Sequence, residues 1–237
     1  KDNMWGYNRH TDQTVNIYSA FLQNEWKNDR WGILIGGRLD KHNMVDNVIF
    51  SPRANLRFNP TQNINLRLSY SSGFRAPQAF DEDMHIENVG GTVAMIERAK
   101  DLKEEKSQSF SVSADMYHRF GAFQTNLLIE GFYTRLTDVF VLGKPYDRGD
   151  GILVKTRSNG PGAKVMGLTL EGKVAYLSIL QIQAGLTLQR SRYDEPHKWH
   201  DDAPAEKKIF RTPDTYGYFT ATCTPIKPLS IALSGTY

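Results

Sequence analysis

The chain has almost no cysteine, no long apolar run and no tract of biased composition. Its single cysteine, Cys223, excludes an internal disulfide and leaves no thiol partner for a metal site. It lies in a stretch of strand character and reads as a small strand residue. No run approaches the roughly 18 apolar residues of a membrane-spanning helix. That excludes a helical membrane protein but not a β-barrel, whose strands are apolar on one face only. No Ser/Gly-rich tract or charge block marks a linker, and 237 residues suit one large all-β domain or two small ones. The 29 basic and 26 acidic residues leave a formal charge of +3, and no basic stripe forms a nucleic-acid footprint. Gly-x-Ser-x-Gly, a phosphate-cradling glycine loop and a metalloprotease helix are all missing, so no catalytic set or cofactor is implied. The polar start Lys1-Asp2-Asn3 has no hydrophobic segment behind it, which fits a mature chain or part of a longer one.

What is present is a rhythm of strands and gaps. Ten stretches carry strand character: 14–26, 31–39, 50–58, 64–73, 106–118, 122–142, 151–176, 180–191, 214–224 and 228–237. Gaps of five residues or fewer alternate with gaps of eight to 32 residues. Tight turns at one end of every hairpin and wide loops at the other are the arrangement of an up-and-down outer-membrane barrel. The stretches from 122 and 151 exceed the roughly 9–11 residues that cross a bilayer, so their surplus is expected to project as a hairpin around Gly143 to Asp150.

Within the stretches, apolar residues alternate with polar ones. Leu180, Ile182, Ala184, Leu186 and Leu188 share one face, and Gln181, Gln183, Thr187 and Gln189 the other. Leu56 and Phe58 oppose Arg53, Asn55 and Arg57, while Leu66, Leu68 and Tyr70 oppose Asn65, Arg67 and Ser69. A soluble sandwich turns such apolar faces into a core, whereas a wide membrane barrel turns them to lipid. Alternation alone does not separate the two. Aromatic placement favours the barrel: Trp26 and Trp31 bracket a short turn, Phe58 precedes another, Phe120 and Phe123 flank Gly121, and Tyr176 adjoins Ser178. Rings gathered at tight-turn ends suggest an interfacial girdle.

The stretch Ser51-Pro52-Arg53-Ala54-Asn55-Leu56 through Tyr70-Ser71-Ser72-Gly73-Phe74-Arg75-Ala76-Pro77 resembles a TonB-dependent outer-membrane receptor, in a style similar to Bacteroidetes receptors. Further matches follow in family order. Leu102-Lys103-Glu104-Glu105-Lys106-Ser107 lacks the usual Pro before Glu. Phe132 to Val139, Asn159-Gly160 with Gly167-Leu168-Thr169-Leu170-Glu171, Arg211-Thr212-Pro213 and the closing Leu233 to Tyr237 complete the set. The resemblance implies a cell outer-membrane location and an all-β, antiparallel up-and-down transmembrane barrel. Its implied role is active uptake of a scarce nutrient complex of the siderophore, haem or cobalamin class. Implied partners are that ligand, outer-membrane lipid and the TonB complex acting through a plug domain. Family barrels have roughly 22 strands, so residues 1–237 are expected to be a partial barrel of middle to late strands, without the plug and without enzymatic activity.

Two long loops hold the candidate ligand contacts. Loop 74–105 offers Arg75 and His85, and a short helical turn is expected at 93–100. Loop 192–213 offers His197, Trp199 and His200 beside Asp201 and Asp202. Imidazoles and carboxylates suit metals, yet the spacing is no zinc signature, and no metal site is assigned. For both loops the plainer alternative is a solvated, mixed-charge surface. Two other readings remain at this stage: a soluble β-sandwich that binds a ligand, and a ten-strand outer-membrane enzyme using Asp201, Asp202 and His197 or His200.

Overall fold

Side chains that alternate in polarity let a strand separate two media, and this chain does so throughout. The computed structural model describes residues 2–4, 9–77, 87–89, 92–149, 151–198, 204–209 and 212–237. The first elements are the short pair β1 (Asp2–Met4) and β2 (Arg9–Thr11), followed by β3 (Ile17–Lys27), β4 (Trp31–His42), β5 (Ile49–Thr61) and β6 (Ile64–Arg75). Next come β7 (Glu87–Val89), β8 (Thr92–Arg98), β9 (Glu105–Phe120), β10 (Phe123–Thr137), β11 (Phe140–Leu142), β12 (Tyr146–Asp147) and β13 (Leu153–Asn159). The last are β14 (Ala163–Tyr176), β15 (Leu180–His197), β16 (Glu206–Lys208), β17 (Thr215–Ile226) and β18 (Leu229–Thr236).

One antiparallel sheet runs β18-β17-β15-β14-β10-β9-β6-β5-β4-β3, with β16 attached to β15. Its neighbours along the path are successive long strands, so the meander is up-and-down. The path ends at β3 and β18 without closing on itself. A single layer is not a sandwich, which overturns that reading: among the described residues no second sheet covers the apolar face.

The register joins the apolar faces into one surface. Ile33, Leu56, Leu68, Val112, Gly131, Leu168 and Leu188 lie on successive strands as cross-strand partners. Leu168 is 48% and Leu170 45% exposed, against 6% for Thr187 on the other face. Apolar area costs roughly 25 cal/mol per Å² to hold in water, so a continuous apolar face ten strands wide needs lipid. The rings gather on this same face. Trp31 stacks on Phe58 at 4.3 Å and Phe123 meets Tyr176 at 4.8 Å near the tight turns. A second set, Tyr70 against Phe110 at 4.7 Å with Tyr133 beside them, lies ten residues further along β9 and β10. At about 3.3 Å per residue that is about 33 Å. A strand tilt of about 40° reduces it to about 25 Å, the height of a barrel's apolar band.

Prolines fall where the ladder is already irregular, as a residue without an N–H must. Pro60, Pro196 and Pro225 sit within the register shifts 58/61, 192/197 and 223/226. Pro52 lies one residue beyond the last β5–β6 pair, at Arg53 and Ser71. Glycines opposite rings serve packing: a Cβ on Gly185 would come within 2.5 Å of the Tyr218 ring.

Several boundaries differ from the sequence reading. Stretch 122–142 breaks at Asp138, whose φ of 54° turns the chain out of the sheet, and 151–176 breaks between Asn159 and Ala163. The stretch ending at 191 continues as β15 to His197, where the short β16 gives its rim a partner. The helical turn expected at 93–100 is instead strand β8, because β13 pairs with it in parallel from Leu153–Ala94 to Arg157–Arg98. Sequence alone cannot supply a partner that lies nearly 60 residues away.

Candidate functional site

The long-loop end of the sheet is built from the barrel upward. Segments from 74–105 and 138–162 do not stand apart there. They fold together as a second sheet in the order β11-β13-β8-β7, with β12 on β13. Met95 and Val154 are fully buried between them, and Arg98 Nη1 donates to the Pro77 carbonyl at 2.7 Å. Asn159 ties the seam. Its Nδ2 donates to the carbonyls of Lys103 (3.0 Å) and Asp138 (2.8 Å), and its Oδ1 accepts from the Lys103 amide at 2.8 Å. The projecting hairpin expected around Gly143 to Asp150 is present as β12 pairing back on β13, with Gly149 and Gly151 at positive φ.

A second rim seam joins β10, β14 and β15. Val139, Ala163 and Tyr193 are buried together, with Leu136 and Ile209 against them. Arg135 grips Asp194 with both nitrogens, Nη1–Oδ1 at 2.6 Å and Nη2–Oδ2 at 2.5 Å. Asp214 receives Lys208 Nζ at 2.7 Å, with Arg192 at 3.6 Å. The Arg135 hydrogen bonds hold the Asp194 carboxyl below its ordinary value, and Lys208 does the same for Asp214. A lowered folded pKa means that the pairing contributes stability above the unfolded value of about 3.9 and loses it as pH falls through the folded value. The Asp194 amide, bonded to the Gly162 carbonyl at 2.9 Å, reports on this seam. Its hydrogen exchange, corrected for intrinsic acid dependence, is expected to stay slow from neutral pH to about pH 4 and to quicken only below that. Arg135→Gln should quicken this exchange already at neutral pH and flatten its rise in acid, and an unchanged profile would remove the ion pair's role.

Of the candidate ligand contacts, Arg75 ends β6 on the polar face. It lies opposite Glu105, its guanidinium 5.5 Å from the Phe140 ring centre, while the Phe140 amide donates to Glu105 Oε2 at 2.9 Å. His197 ends β15 opposite Glu206. β6 and β15 are four strand positions apart in the sheet, about 19 Å at about 4.8 Å per step, so the two share a rim and not one pocket. His85, Trp199 and His200, with Asp201 and Asp202, lie outside the described residues. Among the described residues no three His, Cys, Asp or Glu side chains converge as a metal site requires.

One depression, about 780 Å³, has Val112, Gly131, Tyr133, Met166 and Leu168 in its lining, with Arg190 and Arg192 towards the rim. It exists because Gly131 places no side chain between Val112 and Leu168. It opens on the apolar face, where lipid and not solute is the neighbour, so it is not a solute site. What the sequence reading did not assemble is a set of arginines on the polar face: Arg38, Arg53, Arg57 and Arg67 on β4, β5 and β6. Their period-two placement was visible, but only the register joins them.

The sequence matches the family described as TonB dependent receptor-like, beta-barrel over residues 2–234. No curated protein matches the chain in sequence. Among solved structures it is similar to the siderophore receptor PirA of Pseudomonas aeruginosa, with a TM-score of 0.71 at 16% identity, covering 94% of this chain and 39% of that one. The FrpB iron transporter of Neisseria meningitidis (F3-3 variant) gives 0.64 at 16% identity, with 94% and 32% covered. The ferric enterobactin receptor PfeA in complex with BCV-L6 gives 0.59 at 18% identity, with 96% and 40% covered. The chain thus spans well under half the length of each.

Proposed function

We propose, from the premise that this chain belongs to the TonB dependent receptor-like, beta-barrel family of the outer membrane, that it supplies wall and external loops to a receptor for active uptake of a scarce nutrient complex. On this reading the 237 residues are middle to late strands of a larger barrel, and TonB acts through a plug domain outside them. The chain performs no catalysis. An iron–siderophore complex is the first candidate among siderophore, haem and cobalamin classes, because PirA, FrpB and PfeA are named as siderophore or iron proteins.

The observation that carries the reading is the two-sided sheet: an apolar, ring-bordered face across ten strands backed by a polar face, with external loops folded over one end. Open edges at β3 and β18 support membership of a larger barrel, since unpaired strand edges demand partners. The test is deletion of the gene in its host followed by uptake of a radioactive iron chelate under iron starvation. Loss of uptake, restored by the intact gene and absent in a strain without TonB, is expected. Undiminished uptake of iron chelates, haem and cobalamin alike would overturn the reading.

A further inference from the structure

Above one stretch of the apolar, lipid-side face the strands end in a row of cations. Two residues beyond the outer rings, Arg135, Lys164, Arg192 and Lys208 follow one another as cross-strand partners on β10, β14, β15 and β16. At about 4.8 Å per step the row is about 14 Å wide. Arg190, the partner of Met166, stands on the same face just below the row and is exposed. The neighbouring strands carry no charge at this level: Gln108 on β9 is the partner of Arg135, followed by Ser72 on β6 and the pair Pro52 and Gly37 on β5 and β4. The cations therefore form a patch and not a girdle.

The acids beside the patch are engaged or lie further out. Asp194 is gripped by Arg135, and Asp214 is held by Lys208 with Arg192. Glu104 pairs with Lys106 at 3.0 Å, beyond Gln108 on β9. Glu206, two residues before Lys208, lies opposite His197 at the outer end of β15. Two cations are left over. Lys164 acts on Asp194 through space without a hydrogen bond, and Arg190 forms no ion pair among the described residues. Directly beneath them lies the depression of about 780 Å³. Gly131 forms its floor between Val112 and Leu168, while Tyr133 and Met166 stand between floor and cations. A cation that merely snorkels to the interface needs neither groove nor row. An apolar groove leading up to unpaired cations at headgroup level matches an acyl chain that carries a phosphate.

We propose that this patch holds a phosphate-bearing, multiply acylated lipid of the outer leaflet, with an acyl chain along Gly131 and a phosphate on Lys164 and Arg190. Lys164 has Arg135 and Arg192 as its direct partners, and like charges side by side on a sheet are unfavourable until an anion joins them. The Arg190 guanidinium fork fits two phosphate oxygens. The acyl chain supplies the contacts that the missing Gly131 side chain leaves unmade. The site lies on the lipid side of the wall, so it does not depend on which cargo the receptor takes up.

The test is native mass spectrometry of the intact purified receptor, delipidated in a neutral detergent. The probe is a bisphosphorylated hexa-acyl glucosamine disaccharide, and its dephosphorylated form is the control. Saturable binding is expected, roughly tenfold or more tighter for the phosphorylated form. The double variant Lys164→Gln, Arg190→Gln should bind it roughly tenfold more weakly. Gly131→Leu fills the groove with a side chain that lipid accepts and should weaken binding severalfold with no change of charge. Lys106→Gln removes a cation already paired with Glu104 and should leave the affinity unchanged. Heat-modifiable migration on gels checks that each variant keeps its barrel, and the charge and groove variants test the site independently. Four results overturn the proposal: equal affinity for the two lipid forms; unchanged affinity in Gly131→Leu; as large a loss in Lys106→Gln as in the double variant; or displacement by inorganic phosphate at the lipid's own concentration, which marks a site for a free anion.

Discussion

Replacing Leu170 by arginine is expected to cost the folded receptor roughly 2–4 kcal/mol, the range for a cation at the lipid midplane of a barrel. Leu170 lies between Ile129 and Leu186, midway between the two sets of rings. Its neighbours on that face, Ile129, Leu186, Leu168 and Gly172, offer no acid to pair with and cannot solvate a guanidinium. The control is Thr220→Arg. Thr220 projects from the polar face of β17 between Gln183 and Ser234, and its replacement should change stability by no more than about 0.5 kcal/mol. Unfolding from lipid vesicles in denaturant measures both. Equal losses would mean that the two faces do not meet different media.

Asn159→Ala is expected to open the external sheet while leaving the barrel intact. Three hydrogen bonds to Lys103 and Asp138 are lost. At about 1 kcal/mol each the local loss is about 3 kcal/mol, a factor of roughly 100 in opening. The neighbouring Gly160 amide, bonded to the Val139 carbonyl at 2.7 Å, should exchange faster by that order, whereas amides in the middle of β14 should not change. Proteolysis should concentrate in 99–104 and 138–162. If Gly160 keeps its protection, the clasp is held by β8–β13 pairing and not by Asn159.

The barrel was legible because its signals are local. Leu180 to Gln189 alternates residue by residue, and Trp26, Trp31, Phe58 and Tyr176 mark the turns within the sequence itself. Cys223 falls, as expected, inside a strand. The external sheet was not legible, since β8 gains its conformation from β13 far along the chain. The break at Asp138 hides inside a run whose residues favour strand on both sides, and one residue at positive φ decides it. The candidate contacts divide the same way. Arg75 could be placed from its motif, yet the Phe140 ring and Glu105 that surround it come from other segments. The group of polar-face arginines is a property of register: each member is an ordinary polar-face residue until Arg57 is set against Arg67.

The most direct test of the central claim, that these strands wall a lipid-facing barrel, is a spin-label scan along β14 in the intact receptor in its membrane. Cys223 is first replaced by serine, and single cysteines are introduced from Met166 to Val174. Labels at Met166, Leu168 and Leu170 are expected to collide with oxygen dissolved in lipid, and labels at Thr169, Glu171 and Lys173 are expected not to, giving a period of two. Uniform access of a water-soluble nickel reagent to both sets, or a scan without that period, would contradict it.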